Sequence, residues 1–70
     1  MAVIYVGNVD RRSTEAYVRS VFEMYGPVAN VNFKSGFAVV EMIDDRQAQK
    51  AISDLNHHGS WVVRNLEATA

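Results

Sequence analysis

Between two strand-like runs in the middle of this chain there is almost no connecting segment. Ala29 to Phe33 and Phe37 to Met42 are joined only by Lys34, Ser35 and Gly36. So short a link admits nothing but a tight hairpin, since parallel strands need a crossover of about a dozen residues. The two runs are therefore antiparallel neighbours in one sheet, and the rest of the chain must be arranged around them. Within the first, Ala29, Val31 and Phe33 alternate with Asn30, Asn32 and Lys34, the pattern of a strand buried on one face and wet on the other.

The flanking segments read as regular elements as well. Ala2 to Gly7 (AVIYVG) is rich in β-branched and aromatic residues and leads into the turn-prone stretch Asn8 to Thr14, which makes it a first strand. After Ser13 or Thr14, either able to cap a helix, Val18, Val21, Phe22 and Tyr25 recur on one helical face. Gly26 in a left-handed conformation and Pro27 behind it are expected to stop that helix. Asp44 or Asp45 caps a second helix with Ala48, Ala51, Ile52 and Leu55 as its apolar side, ending over Asn56 to Gly59. Trp61 to Glu67 is β-prone enough for a last strand. The predicted order is β-α-β-β-α-β, an α+β, ferredoxin-like arrangement of a four-stranded antiparallel sheet with two helices on one face.

Seventy residues make one small domain, residues 1–70, whose single modest core must suffice. The chain has no cysteines, so neither disulfides nor a thiolate zinc site reinforce that core. No apolar run approaches the length of a membrane span, and no membrane association is expected. Seven basic and eight acidic side chains give a net charge of −1, which provides no long-range field for a polyanion. His57-His58 lacks a carboxylate or thiol at ligand spacing, and neighbouring residues rarely converge on one ion. Asp44 and Asp45 read as a cap and a solvated turn rather than an acid–base pair. No cofactor and no enzymatic activity are expected.

The alternation assigns the faces of the two central strands. With Ile4 and Val6 inward, Val3, Tyr5 and Gly7 point outward; with Ala38, Val40 and Met42 inward, Phe37, Val39 and Glu41 point outward. Two aromatic rings thus fall on the face that no helix covers. Such rings are either scattered surface apolars, a protein-contact patch, or a platform with a purpose.

The segment Ile4-Tyr5-Val6-Gly7-Asn8-Val9 resembles the RNP hexamer of the RNA-recognition-motif family at every position. Ser35-Gly36-Phe37-Ala38-Val39-Val40-Glu41-Met42 resembles that family's RNP octamer at Gly36, Phe37, Ala38 and Val40. It departs at Ser35, where the family has Lys or Arg, at Val39, where it has a third ring, and at Met42, often aromatic. Together, about thirty residues apart on neighbouring strands, the two motifs are far more specific than either alone. Tyr25-Gly26-Pro27-Val28, the minimal hairpin loop, and Asp44-Asp45-Arg46-Gln47-Ala48 look most like the first recognition motif of SR-type splicing proteins.

The resemblance implies a monomeric module that binds short single-stranded RNA by stacking bases on Tyr5 and Phe37. Val39, Val3, Asn30, Asn32, Lys34, and Arg64 or Asn65 would line the same surface, with Arg11 and Arg12 in the first loop as further helpers. Asn8 organises the loop backbone, and Trp61 is a packing residue. The resemblance also implies a role in RNA processing, other proteins of such a complex as partners, and a nuclear location, with the cytoplasm as the second choice. The alternative is a domain of the same fold that binds protein with little or no RNA binding. Target sequence, affinity and pathway are not legible.

Overall fold

The hairpin closes as expected in the computed structural model, which describes residues 1–59 and 61–66. The elements are β1 (Ala2–Gly7), α1 (Glu15–Glu23), β2 (Val28–Lys34), β3 (Phe37–Met42), α2 (Asp45–His58) and β4 (Val62–Asn65). The strands lie in the order β2-β3-β1-β4, and all neighbouring pairs are antiparallel. At the hairpin tip Lys34 pairs with Phe37, and Gly36 takes a φ of 87°, which a residue without Cβ adopts at no steric cost. The Val9 amide donates to the Gly36 carbonyl at 3.1 Å, which ties the loop after β1 to this turn.

Both helices cover one face of the sheet. Ile4, Val6, Val31, Ala38, Val40, Met42 and Val63 from the strands meet Val18 and Phe22 of α1 and Ala48 and Ala51 of α2 in one core. Trp61 lies at its margin, its ring parallel to Phe22 at 6.4 Å and edge-on to Tyr17 at 6.0 Å, so it is a packing residue.

The caps follow from elementary hydrogen-bond needs. Thr14 Oγ1 accepts from the Tyr17 amide at 3.1 Å, and Asp44 Oδ1 accepts from the amides of Arg46 and Gln47 at 2.8 and 3.0 Å. Each satisfies donors that a helix start leaves without an intrahelical partner.

Several local expectations are corrected. Gly26 does not end α1 in a left-handed conformation, for its φ is not positive. It is small because a Cβ there would collide with the side-chain amide of Gln47 on α2. Ala29 is exposed rather than buried, because the β2–β3 register shifts between Val28 and Asn30 and turns it out of the alternation. Helix α2 ends where expected, at His58 with Gly59 as its cap, so that Asn56 lies in its last turn. The Asn56 amide donates to the Val63 carbonyl at 2.8 Å and accepts from the Val63 amide at 3.0 Å. It thereby pairs both backbone groups of Val63 on an edge strand, groups of the kind that otherwise invite another chain. The last strand is Val62–Asn65, shorter than predicted, and Glu67 lies outside the described residues.

Candidate nucleic-acid interface

The registers of the three strand pairs define the uncovered face as a grid. One row reads Lys34, Phe37, Gly7, Val62 and the next Asn32, Val39, Tyr5, Arg64. A third runs from Asn30 through Glu41 to Val3, and the Leu66 amide donates to the Val3 carbonyl at 2.8 Å at its end. Every row is built by the two-residue period of the strands, which sends each alternate side chain away from the helices.

Near the centre sit Tyr5 and Phe37, with ring centroids 5.9 Å apart and planes inclined by 25°. Phe37 is 37% exposed, which leaves much of an apolar ring open to water. Gly7 belongs to this face by register, yet it is buried, because the Tyr5 ring lies over it. A Cβ at Gly7 would come within 2.8 Å of the Tyr5 ring. The glycine therefore leaves room for the Tyr5 ring to lie over position 7. Gly7, the fourth residue of the hexamer-like segment, thus has a definite steric role in this chain.

Around the rings, Val39 and Val3 are half-buried, and Asn32, Lys34 and Arg64 are exposed. Asn30 Nδ2 donates to Glu41 Oε1 at 3.2 Å, so the one carboxylate on the grid is held at the end away from Phe37. Lys34 and Arg64 stand on opposite sides of the ring pair. No described carboxylate forms an ion pair with either.

Asn65 is the one candidate that the register removes from this face. It pairs with Ile4, whose side chain is fully buried on the helix side, while Arg64 pairs with Tyr5. Alternation along β4 thus settles which of the two residues shares the platform. A hollow of about 360 Å³ opens between β1 and β4, lined by Tyr5, Gly7, Asn8, Val62, Arg64 and Leu66. Val62 and Leu66 were not foreseen as part of this surface. The signal for them was the β4 register, which the weak alternation of Trp61 to Glu67 did not fix. Asn8 holds a φ of 60° where the chain leaves β1, a conformation that asparagine tolerates better than most residues. Arg12 lines a separate hollow beside α1 with Asp10, Ser13, Thr14 and Tyr17, and its amide donates to Asp10 Oδ1 at 2.9 Å.

Two aromatic rings on adjacent central strands, open on one side of a β-α-β-β-α-β sheet, are what the RNP segments predicted. The sequence profile of the RNA recognition motif matches residues 4–60. The chain belongs to the RNA recognition motif family.

Its relatives agree with this membership. The chain is 41% identical over 71 residues to a putative RNA-binding protein, RbpD, of Nostoc, an alignment that covers 90% of this chain and 74% of that protein. It is 34% identical over 70 residues to mouse RNA-binding protein 4B, with 99% of this chain aligned. It spans only 20% of that relative's length. Among solved structures, the penultimate RNA recognition motif of the hypothetical RNA-binding protein RBM19 superposes with a TM-score of 0.86. That match has 26% identity and covers 100% of this chain and 88% of the other. Members of this family are binding modules.

Proposed function

We propose that this RNA recognition motif binds a short stretch of single-stranded RNA on the open sheet face, with one base stacked on Tyr5 and the next on Phe37. The observation that carries the reading is the pair of rings 5.9 Å apart on the sheet face that neither helix covers. An unpaired base offers an apolar π-face that fits such a platform, whereas a duplex hides it. Lys34 and Arg64 supply positive charge on either side. Val3, Val39, Asn30 and Asn32 complete the floor.

Stacking is worth about 1–3 kcal/mol per base, so two rings contribute about 2–6 kcal/mol. A micromolar complex requires about 8 kcal/mol. The domain alone therefore binds weakly, as a monomer, and tighter complexes recruit side-chain hydrogen bonds, a second domain or a protein partner. The SR-like runs around Tyr25 and Asp44 support a role in RNA processing, in the nucleus or the cytoplasm.

The test is a backbone NMR titration with pooled short RNAs, repeated with Tyr5→Ala and Phe37→Ala. Shifts centred on β1 and β3 that weaken in both variants support the reading. Equal responses from wild type and both variants overturn it. Shifts confined to α1 on adding a protein, with none from RNA, favour the protein-binding alternative.

A further inference from the structure

We infer that Arg64 selects the base stacked on Tyr5, and that the base it selects is guanine. This inference rests on the stacking reading above and adds to it the identity of one base. Arg64 stands opposite Tyr5 in the β1–β4 register, on the same face, and directly opposed residues of an antiparallel pair have Cβ atoms about 4.5–5.5 Å apart. The two side chains also line the same hollow between β1 and β4. A base lying on the Tyr5 ring therefore projects one edge toward the guanidinium.

The guanidinium is available for that edge. The ion pairs of the described residues join the N-terminus to Asp45 and Arg19 to Glu23, and neither involves Arg64. Glu41, the carboxylate of the grid, lies in the next row and is hydrogen-bonded to Asn30. An uncommitted guanidinium presents a planar fork of donors, and that fork fits two adjacent acceptors. Guanine offers O6 and N7 side by side, whereas adenine pairs its N7 acceptor with an N6 donor that faces the fork with the wrong polarity. Lys34, opposite Phe37, is a point charge with no such geometry and suits a phosphate. The two cations of the face thus differ in what they can read.

The experiment titrates the folded protein with UUUU, UUGU, UUAU, UUCU and the UUGU analogue that carries 7-deazaguanine, which lacks the N7 acceptor. Wild type is expected to bind UUGU about ten-fold or more tighter than UUAU, within the range a bidentate base contact provides. The 7-deazaguanine oligomer should fall toward UUAU. Arg64→Lys, which keeps the charge and loses the fork, and Arg64→Ala should both erase the preference. A wild type without preference for UUGU, or one that prefers UUCU, overturns the inference. So does an Arg64→Ala variant that weakens every oligomer alike with a shallower salt dependence, the mark of a phosphate contact. In those cases Tyr5 and Phe37 still shift on binding; if no oligomer shifts them, the stacking reading itself has failed.

Discussion

Replacing Val39 by phenylalanine should tighten RNA binding, a gain of function that a merely structural reading of the strand does not anticipate. Val39 sits between Tyr5 on β1 and Asn32 on β2 in the pairing register, half-buried on the uncovered face and two residues along β3 from Phe37. A ring there would extend the Tyr5–Phe37 pair, whose centroids are 5.9 Å apart, into a three-ring platform. One added stacking surface is worth about 1–3 kcal/mol, which lowers Kd by roughly 5- to 150-fold. The fold should tolerate the change, because valine and phenylalanine are both strong strand formers and the new ring points away from the core. The assay is a calorimetric or NMR titration of wild type, Val39→Phe and Val39→Ala against one short single-stranded RNA, with thermal melting as the control for folding. Val39→Ala should change Kd by no more than about threefold, since it removes little from a platform carried by two other rings. A Val39→Phe protein that melts like wild type yet binds no more tightly would refute the placement of position 39 on the binding surface.

Three further predictions concern the scaffold. Asn56→Ala removes two hydrogen bonds to the Val63 backbone and should cost about 1–3 kcal/mol in chemical denaturation, with faster hydrogen exchange at the Val63 amide than at the central strands. Gly26→Ala forces a Cβ into the Gln47 side chain and should cost about 1–3 kcal/mol; combining it with Gln47→Ala should recover part of the loss, a coupling that a double-mutant cycle reads directly. Burial, the nearby Asp54 charge and a hydrogen bond to that carboxylate raise the Tyr25 phenol above its ordinary pKa. A phenol kept neutral in the folded state supports stability fully below about pH 10 and loses that support as pH rises through the raised value, so melting temperature should fall more steeply above pH 10 in wild type than in Tyr25→Phe.

What the sequence made legible is what period and spacing control. The hairpin followed from the length of the Lys34-Ser35-Gly36 link, and both helices followed from apolar residues at helical spacing, because those signals are local. The outward positions of Tyr5 and Phe37 followed from alternation on two strands that are regular throughout. The misreadings occurred where a tertiary contact decides the matter. Ala29 obeyed the alternation in the sequence, but a bulge one residue long inverts it without any compositional mark. The helix end over Asn56 to Gly59 was legible, but nothing local announced that the Asn56 amide is matched to an edge strand seven residues later. Gly26 read as a cap, although what marks its place is the Gln47 side chain that a Cβ there would meet, 21 positions away in sequence (47 − 26). The choice between Arg64 and Asn65 needed the register of a four-residue strand, too short for its own alternation to declare.

The charge distribution and the ring pair point to one mode of binding when taken together. A net charge of −1 gives no general attraction for phosphates, and of the two exposed cations on the face only Lys34 is suited to a point-charge contact. Each neutralised phosphate on a single strand steepens the salt dependence by about 0.7 in log–log slope, so one or two contacts leave binding only weakly sensitive to salt. On the proposed mode of binding, most of the free energy comes from stacking and from base-edge hydrogen bonds, contributions that a duplex cannot provide because its bases are already stacked and paired. The low charge is therefore what allows a small platform to discriminate: with little sequence-independent attraction beneath it, the contacts that distinguish single strands from duplexes, and one base from another, make up most of the affinity.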